Sequence, residues 1–169
     1  MKHKSTIAFI SLIIIILFIP LIFSSCNDKE SKVYSGKEIA YIEYEICDFM
    51  GGATYNNKIN FGEGSVYFKR NYPYDLENSI NEYQLKYTFD NSLSNDIINA
   101  FYNVGILDLD EEYKTDEAIC DGGSWIFTIC YKDGTQKISS GVNAGPTELF
   151  YIADDEFIKI TGKKFFGDW

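Results

Sequence analysis

The stretch SWIFTICYKDGTQKISS, residues 124–140, decides the fold. Trp125, Phe127, Ile129 and Tyr131 alternate with smaller or more polar residues, the period-two pattern of a strand with one buried face. Asp133-Gly134 follows, a dipeptide that favours a two-residue hairpin turn in which both residues take positive φ. Residues 135–140 then read as the return strand. An antiparallel hairpin is therefore the first element that can be placed.

Working outward, the same alternation recurs upstream. Over residues 37–48, Ala40, Ile42, Tyr44 and Ile46 share one face, with Glu43 and Glu45 on the other. Gly51-Gly52 and Asn56-Asn57 mark residues 49–58 as a loop. Residues 59–70 read as one strand, bent near Gly62 and Gly64. Pro73 and neighbouring acids make residues 71–78 another loop. Residues 82–89 alternate again, setting Tyr83, Leu85, Tyr87 and Phe89 against Glu82, Gln84, Lys86 and Thr88.

Two helices complete the pattern. Leu93, Ile97, Ile98, Phe101 and Val104 make an apolar stripe, with Ser92 or Ser94 as N-cap and Gly105 at the C-terminal end. Pro146 can open a second helix, because its missing N–H would be unpaired there anyway. Its apolar side is Leu149, Phe150, Ile152, Ala153, Phe157 and Ile160, and Gly162 ends it. Asp154, Asp155 and Glu156 read as an exposed helix face. The expected fold is α+β: an antiparallel sheet of about five strands with two helices packed on one face. No internal repeat is evident.

The first 26 residues read as a different kind of segment. Lys2 and Lys4 precede an apolar run, residues 7–23, broken only by Ser11 and Pro20. Ser24 and Ser25 then lead to Cys26. This is the layout of a secretory leader, and it resembles a lipoprotein signal in which the chain is cut before the cysteine and the thiol carries lipid. Phe23 stands where leucine is usual. The alternative is an uncleaved signal anchor, since roughly 17 apolar residues nearly span a bilayer. The expected organisation is a signal over residues 1–25, a polar tether over 26–36 and one domain over 37–169. Cys26 would hold the chain at the cell envelope, on the outer side of the cytoplasmic membrane or in the outer membrane. Several buried acyl chains, at about 0.8 kcal/mol per CH₂, make a firm anchor.

Composition then narrows the function. The chain of 169 residues carries 15 basic and 25 acidic residues, a net charge of −10. Loss of residues 1–25 would take Lys2, Lys4 and His3 but no acid, leaving 13 bases against 25 acids, −12 on 144 residues. Such a domain repels a phosphate backbone, so nucleic acid is not an expected partner. His3 is the chain's one histidine. Without it, nucleophile–histidine hydrolysis and the commonest transition-metal ligand are both absent from residues 26–169. Arg70 is the one arginine, which leaves no multi-arginine phosphate clamp.

Candidate sites are few. Asp108, Asp110, Glu111, Glu112, Asp116, Glu117 and Asp121 form the densest acidic cluster, yet an EF-hand register from Asp108 puts Tyr113 at the glycine position and Ile119 at the glutamate position. No metal or other cofactor is expected. Cys47, Cys120 and Cys130 leave an odd count; Cys47 could pair with either of the others, and all three could stay reduced. Tyr72, Tyr74, Tyr83, Tyr87 and Trp125 could form an aromatic platform for a glycan or protein partner, or could be core. The segment holding Ser124 and the loop holding Asn143 should lie at the same end of the hairpin and could form a recognition edge, or could be plain turn chemistry.

Residues 121–125 (DGGSW), 131–134 (YKDG) and 140–146 (SGVNAGP) together resemble a motif set in small bacterial lipoproteins of unknown function, over roughly residues 80–160. The resemblance implies a β-rich domain and carries no chemistry. The leading expectation is a membrane-tethered, non-catalytic binding or assembly module. The alternatives are an acidic inhibitor or immunity-type protein directed at a basic enzyme, and an enzyme working through carboxylates alone.

Overall fold

The computed structural model describes residues 33–48, 52–75, 77–115 and 122–166. The fold is α+β, with seven strands in one mixed sheet and two helices. In chain order the elements are β1 (Ile39–Asp48), β2 (Thr54–Asn60), β3 (Ser65–Asn71), β4 (Ile80–Thr88), α1 (Ser94–Val104), β5 (Glu112–Tyr113), β6 (Gly123–Tyr131), β7 (Gln136–Val142) and α2 (Thr147–Thr161). Short 3₁₀ turns at Asn91–Leu93 and Ile106–Asp108 flank α1. The strand order is β4-β3-β2-β1-β6-β7-β5, every pair antiparallel except β5 with β7. Among the described residues no helix is long and apolar enough to cross a membrane.

The sheet thus has seven strands where the sequence led to five. The stretch expected as one bent strand is a hairpin, folded back at residues 61–64. Asn56 and Asn57, which resemble turn residues, lie inside β2. Both are buried, and the Asn57 side-chain amide donates to the Phe165 carbonyl, so a tertiary bond overrides the local preference. The seventh strand, β5, is two residues long and sits in the acidic segment, too short to show any alternation.

One face of the sheet makes the core. Ile42 and Tyr44 on β1, Ile59 on β2, Val66 on β3, and Phe127 and Ile129 on β6 are all buried. They join Ile97 and Phe101 of α1 and Phe150, Ala153 and Phe157 of α2 in one cluster. Aromatic rings dominate its centre. Tyr44 lies 4.6 Å from Phe150, and Phe101 lies 6.2 Å from Phe157, within the usual range for ring pairs.

Helix ends depart from the sequence reading in one place. Neither Ser92 nor Ser94 caps α1; Asp90 accepts from the Ser92 N–H and so opens the preceding 3₁₀ turn, while Ser94 donates to the Phe61 carbonyl. Gly105 (φ 89°) and Gly162 (φ 72°) end the helices as expected. On α2, Ile152 is exposed and Asp154 is buried, the reverse of the expected sides. Asp154 Oδ1 accepts from the N–H groups of Phe165 (2.6 Å) and Phe166 (3.0 Å). The residues after α2 therefore fold back and need a carboxylate to hold them.

The quoted hairpin forms, but with a different turn. Residues 132–134 make a three-residue loop, closed by Gly134 N–H to Tyr131 O (3.0 Å) and Tyr131 N–H to Thr135 O (2.9 Å). Only Gly134 has positive φ, at 83°. A left-handed glycine closing a three-residue loop is the next most common hairpin solution after the two-residue turns. Asp133 stays at negative φ because its Oδ1 accepts from both the Thr135 N–H (2.9 Å) and the Thr135 hydroxyl (2.6 Å). Lys37 pairs with the other carboxylate oxygen at 2.9 Å. These bonds hold the Asp133 carboxyl down to about 2.

Candidate functional site: the uncovered face of the sheet

Both helices share the core with one face of the sheet, so strand alternation sends every second residue to the other side. From β1 these are Tyr41, Glu43, Glu45 and Cys47. The register sets Asn60, Lys58 and Asn56 of β2 beside the first three, then Ser65, Tyr67 and Lys69 of β3 beside those. Opposite charges meet across the strands. Lys58 Nζ lies 3.3 Å from a Glu43 oxygen, 3.8 Å from the centre of the Tyr41 ring and 5.5 Å from that of Tyr83. Lys69 Nζ sits 4.8 Å from the same Tyr83 ring. Cation–ring contacts of this kind contribute about 0.5–1 kcal/mol each where exposed.

Tyr83 reaches this face because of an irregularity in β4. Val66 pairs with Tyr87, but Tyr67 pairs with Leu85, so one residue is inserted at Lys86. The expected row Tyr83, Leu85, Tyr87 and Phe89 is split. Tyr83 and Leu85 stay on the open face, while Tyr87 and Phe89 pack against the core. The Tyr83 Oη is buried with no hydrogen-bond partner among the described residues. Burial first, and then the Glu43 carboxylate, push its pKa up, so the phenol stays neutral. Tyr41 is raised to about 12, chiefly by its contact with Cys130 and then by burial.

The half of this face formed by β6 and β7 sets three exposed aliphatic residues among Ser124, Thr128, Gln136 and Ser140. Ile126 is 38% exposed, Ile138 50% and Val142 53%. Ile126 lies opposite Ser140, between the partners of Ile138 and Val142, so it is the diagonal neighbour of both. The face thus joins a lysine–tyrosine–glutamate array to an exposed aliphatic patch.

The residues singled out from the sequence are dispersed. Tyr74 is 91% exposed in the loop after β3. Tyr72, in the same loop, packs edge-on to Tyr55 at 6.0 Å, with the Arg70 guanidinium 5.6 Å from its ring. Tyr87 donates from its hydroxyl to the Lys164 carbonyl on the helical side. Trp125 also faces the core, 5.1 Å from Phe150, and its Nε1 donates to the Ala144 carbonyl at 2.7 Å. Tyr72, Tyr74, Tyr83, Tyr87 and Trp125 therefore form no common platform.

Ser124 and Asn143 do lie at the same end of the hairpin. Asn143 takes φ 53°; its Oδ1 accepts from the Gly123 N–H and its own N–H donates to the Gly123 carbonyl, both at 2.9 Å. The loop after β7 then wraps the Trp125 indole. A Cβ on Gly145, where φ is 134°, would fall 2.6 Å from that ring. Gly141 and Gly145 are thus explained by packing around one tryptophan, while Gly122 lies against Asn143 and Gly123 against the Cys47 carbonyl. Ser124 pairs with Val142 at the edge of the uncovered face.

Cys47 and Cys130 are free, and the register sets them at opposite ends of β1 and β6, opposite Ser124 and Tyr41 respectively. They cannot pair with each other. Cys120, Asp116, Glu117 and Asp121 lie outside the described residues, as does Cys26. Among the described residues no three His, Cys, Asp or Glu side chains are placed to hold a metal ion.

Sequence reasoning missed Lys58 and Asn56 as face residues because the Asn56-Asn57 pair concealed β2. The signal available was Tyr55, Asn57 and Ile59 alternating with Asn56 and Lys58. No protein-family model, curated protein or solved structure matches the chain.

Proposed function

We propose that the chain is an envelope lipoprotein, tethered through lipid on Cys26, whose folded domain is a non-catalytic binding module for another protein. The observation that carries this reading is the one-sided sheet. Its free face combines tyrosines with exposed Ile126, Ile138 and Val142, and aromatic and exposed apolar residues are both favoured at protein contacts. The leader supplies the tether. The lack of histidine in residues 26–169 and the use of the lowered carboxylates, Asp90 and Asp133, as turn braces support a role without chemistry.

Extraction of the membrane-bound chain followed by mass spectrometry tests the tether. The reading expects a mature N-terminus at a lipid-modified Cys26 and release from the membrane in Cys26→Ala. An unmodified cysteine, or unchanged retention in that variant, contradicts it. The binding role is tested by a defined pair of variants: Ile138→Glu should abolish partner capture without lowering the melting temperature, and Tyr151→Glu on α2 should not.

A second reading is favoured by the exposed run Asp108, Asp110, Glu111 and Glu112 beside β5. An acidic inhibitor of a basic enzyme would use that run for electrostatic steering, and its association would weaken steeply with salt. Capture that survives high salt and depends on Ile138 separates the first reading from this one.

A further inference from the structure

Among the described residues, nothing covers the helical side of the sheet all the way to its β4 edge. Tyr55 and Asn57 of β2 and Phe68 and Arg70 of β3 alternate onto that side, paired Tyr55 with Arg70 and Asn57 with Phe68. Asn57 is tied to the strap after α2 through the Phe165 carbonyl. Around these residues, with Lys69 and Lys86, a cavity of about 240 Å³ opens. That is smaller than the roughly 300–1,000 Å³ of sites for drug-sized molecules.

Its chemistry runs against the rest of the molecule. In a chain of net charge −10, the described lining residues include Arg70 and Lys86 and no carboxylate; Lys69 contributes from the strand, while its ammonium sits beside Tyr83 on the other face. The Arg70 Nε is buried and has no hydrogen-bond partner among the described residues. A buried donor of a charged group left without an acceptor is unfavourable, and most such groups in proteins are paired. The Arg70 guanidinium lies 5.6 Å from the centre of the Tyr72 ring, and its Nε is the atom left unpaired. A guanidinium edge presents two parallel N–H groups, which match the two oxygens of a carboxylate. Phe68 and Tyr55 supply apolar and aromatic surface beside it.

We propose that this cavity binds a small carboxylate carried on an apolar or aromatic body, with the Arg70 Nε–H donating to a carboxylate oxygen. The chemistry suits either a free aromatic acid or the C-terminal carboxylate of a peptide ending in an aromatic residue. Phe68 and Tyr55 beside Arg70 suit an organic monoanion better than a strongly hydrated phosphate dianion.

Arg70 is the chain's one arginine, so a ¹⁵N-labelled sample of the full chain in detergent gives a single arginine Nε–H signal. Titration with benzoate should move that signal saturably. Benzyl alcohol and inorganic phosphate should leave it in place. A Gly-Gly-Phe peptide with a free terminus, compared with its C-terminal amide, separates the sources. Tighter binding of the free peptide than of benzoate assigns the site to a chain terminus; the reverse assigns it to a free acid. In Arg70→Lys, benzoate affinity measured by calorimetry should fall by about tenfold, the loss of one charge-assisted hydrogen bond. A melting curve checks that this variant folds, and the wild-type titration stands without it. A signal unmoved by both acids, or moved equally by phosphate or benzyl alcohol, overturns the proposal.

Discussion

The two faces of this sheet are built from the same strands and answer to different physics. On the helical face, Ile42, Ile59 and Val66 have no exposed surface, and Phe127 and Ile129 have almost none. On the open face, their immediate neighbours in sequence include Glu43, Lys58 and Ile126, which meet water. The first face is fixed by close packing, where loss of a methylene is felt. The second is fixed only by pairwise contacts of a few tenths of a kcal/mol to about 1 kcal/mol. A sheet so divided places stability on one side and leaves the other free to change.

Substitutions should sort by face. Phe157 is fully buried between Phe89, Phe101 and Phe165. Phe157→Ala should lower stability by about 4 kcal/mol in a denaturant titration. Ile138→Ala on the open face should change it by less than about 0.5 kcal/mol. Comparable losses at both positions would mean that something covers the open face in the isolated chain.

Trp125 sharpens the contrast from an intermediate position. It lies on the helical face but at its margin, half-buried, with the loop after β7 closed over it. Trp125→Ala should cost about 3 kcal/mol, near the low end for a large-to-small core change, because part of the ring is already hydrated. A loss under about 1 kcal/mol would show that the loop does not depend on the indole.

Much of the helical face was legible in the sequence, and less of the open one. Phe127, Ile129, Ile42 and Tyr44 declared themselves through alternation, and Ile97 and Phe101 through helical spacing. The seven-strand count did not, because Asn56-Asn57 is a turn signal in isolation and only the Phe165 carbonyl makes Asn57 a strand residue. The inserted residue at Lys86 also leaves no trace in the pattern, yet it decides that Tyr83 and Tyr87 lie on opposite sides. Asp154 was read as exposed because a carboxylate on a helix usually is; its partners are backbone groups more than ten residues away. Face assignment in β4 and at Asp154 therefore depended on long-range bonds that local periodicity cannot carry.

Asp154 gives a smaller test of that argument. Asp154→Ala leaves the Phe165 and Phe166 N–H groups without their acceptor and should cost about 2 kcal/mol. Asp154→Asn keeps an acceptor and should cost less. Hydrogen exchange at those two amides should accelerate selectively in the alanine variant; unchanged exchange would mean that the strap is held by packing alone.

The smallest effect is expected at the exposed turn. The Asp133 carboxyl is held near 2, below its unfolded value of about 3.9, by Thr135 first and Lys37 second. A depressed carboxylate stabilises fully above its unfolded pKa and loses that contribution as pH falls through the folded one. The turn should therefore weaken between about pH 4 and pH 2. A carboxyl-carbon NMR titration should give a midpoint near 2 for Asp133, moving upward in Thr135→Ala and less in Lys37→Ala. A midpoint near 4 in the wild type would remove the brace.

The most direct test of the division between faces is in-cell photocrosslinking in the native host, with the crosslinking residue placed either at Ile138 on the open face or at Tyr151 on α2. Both positions are exposed, so either replacement should leave the fold intact. The expected result is a discrete adduct with one protein from position 138 and none from position 151. Adducts of equal yield from both positions, or an adduct from position 151 alone, would contradict the assignment of the open face as the binding side.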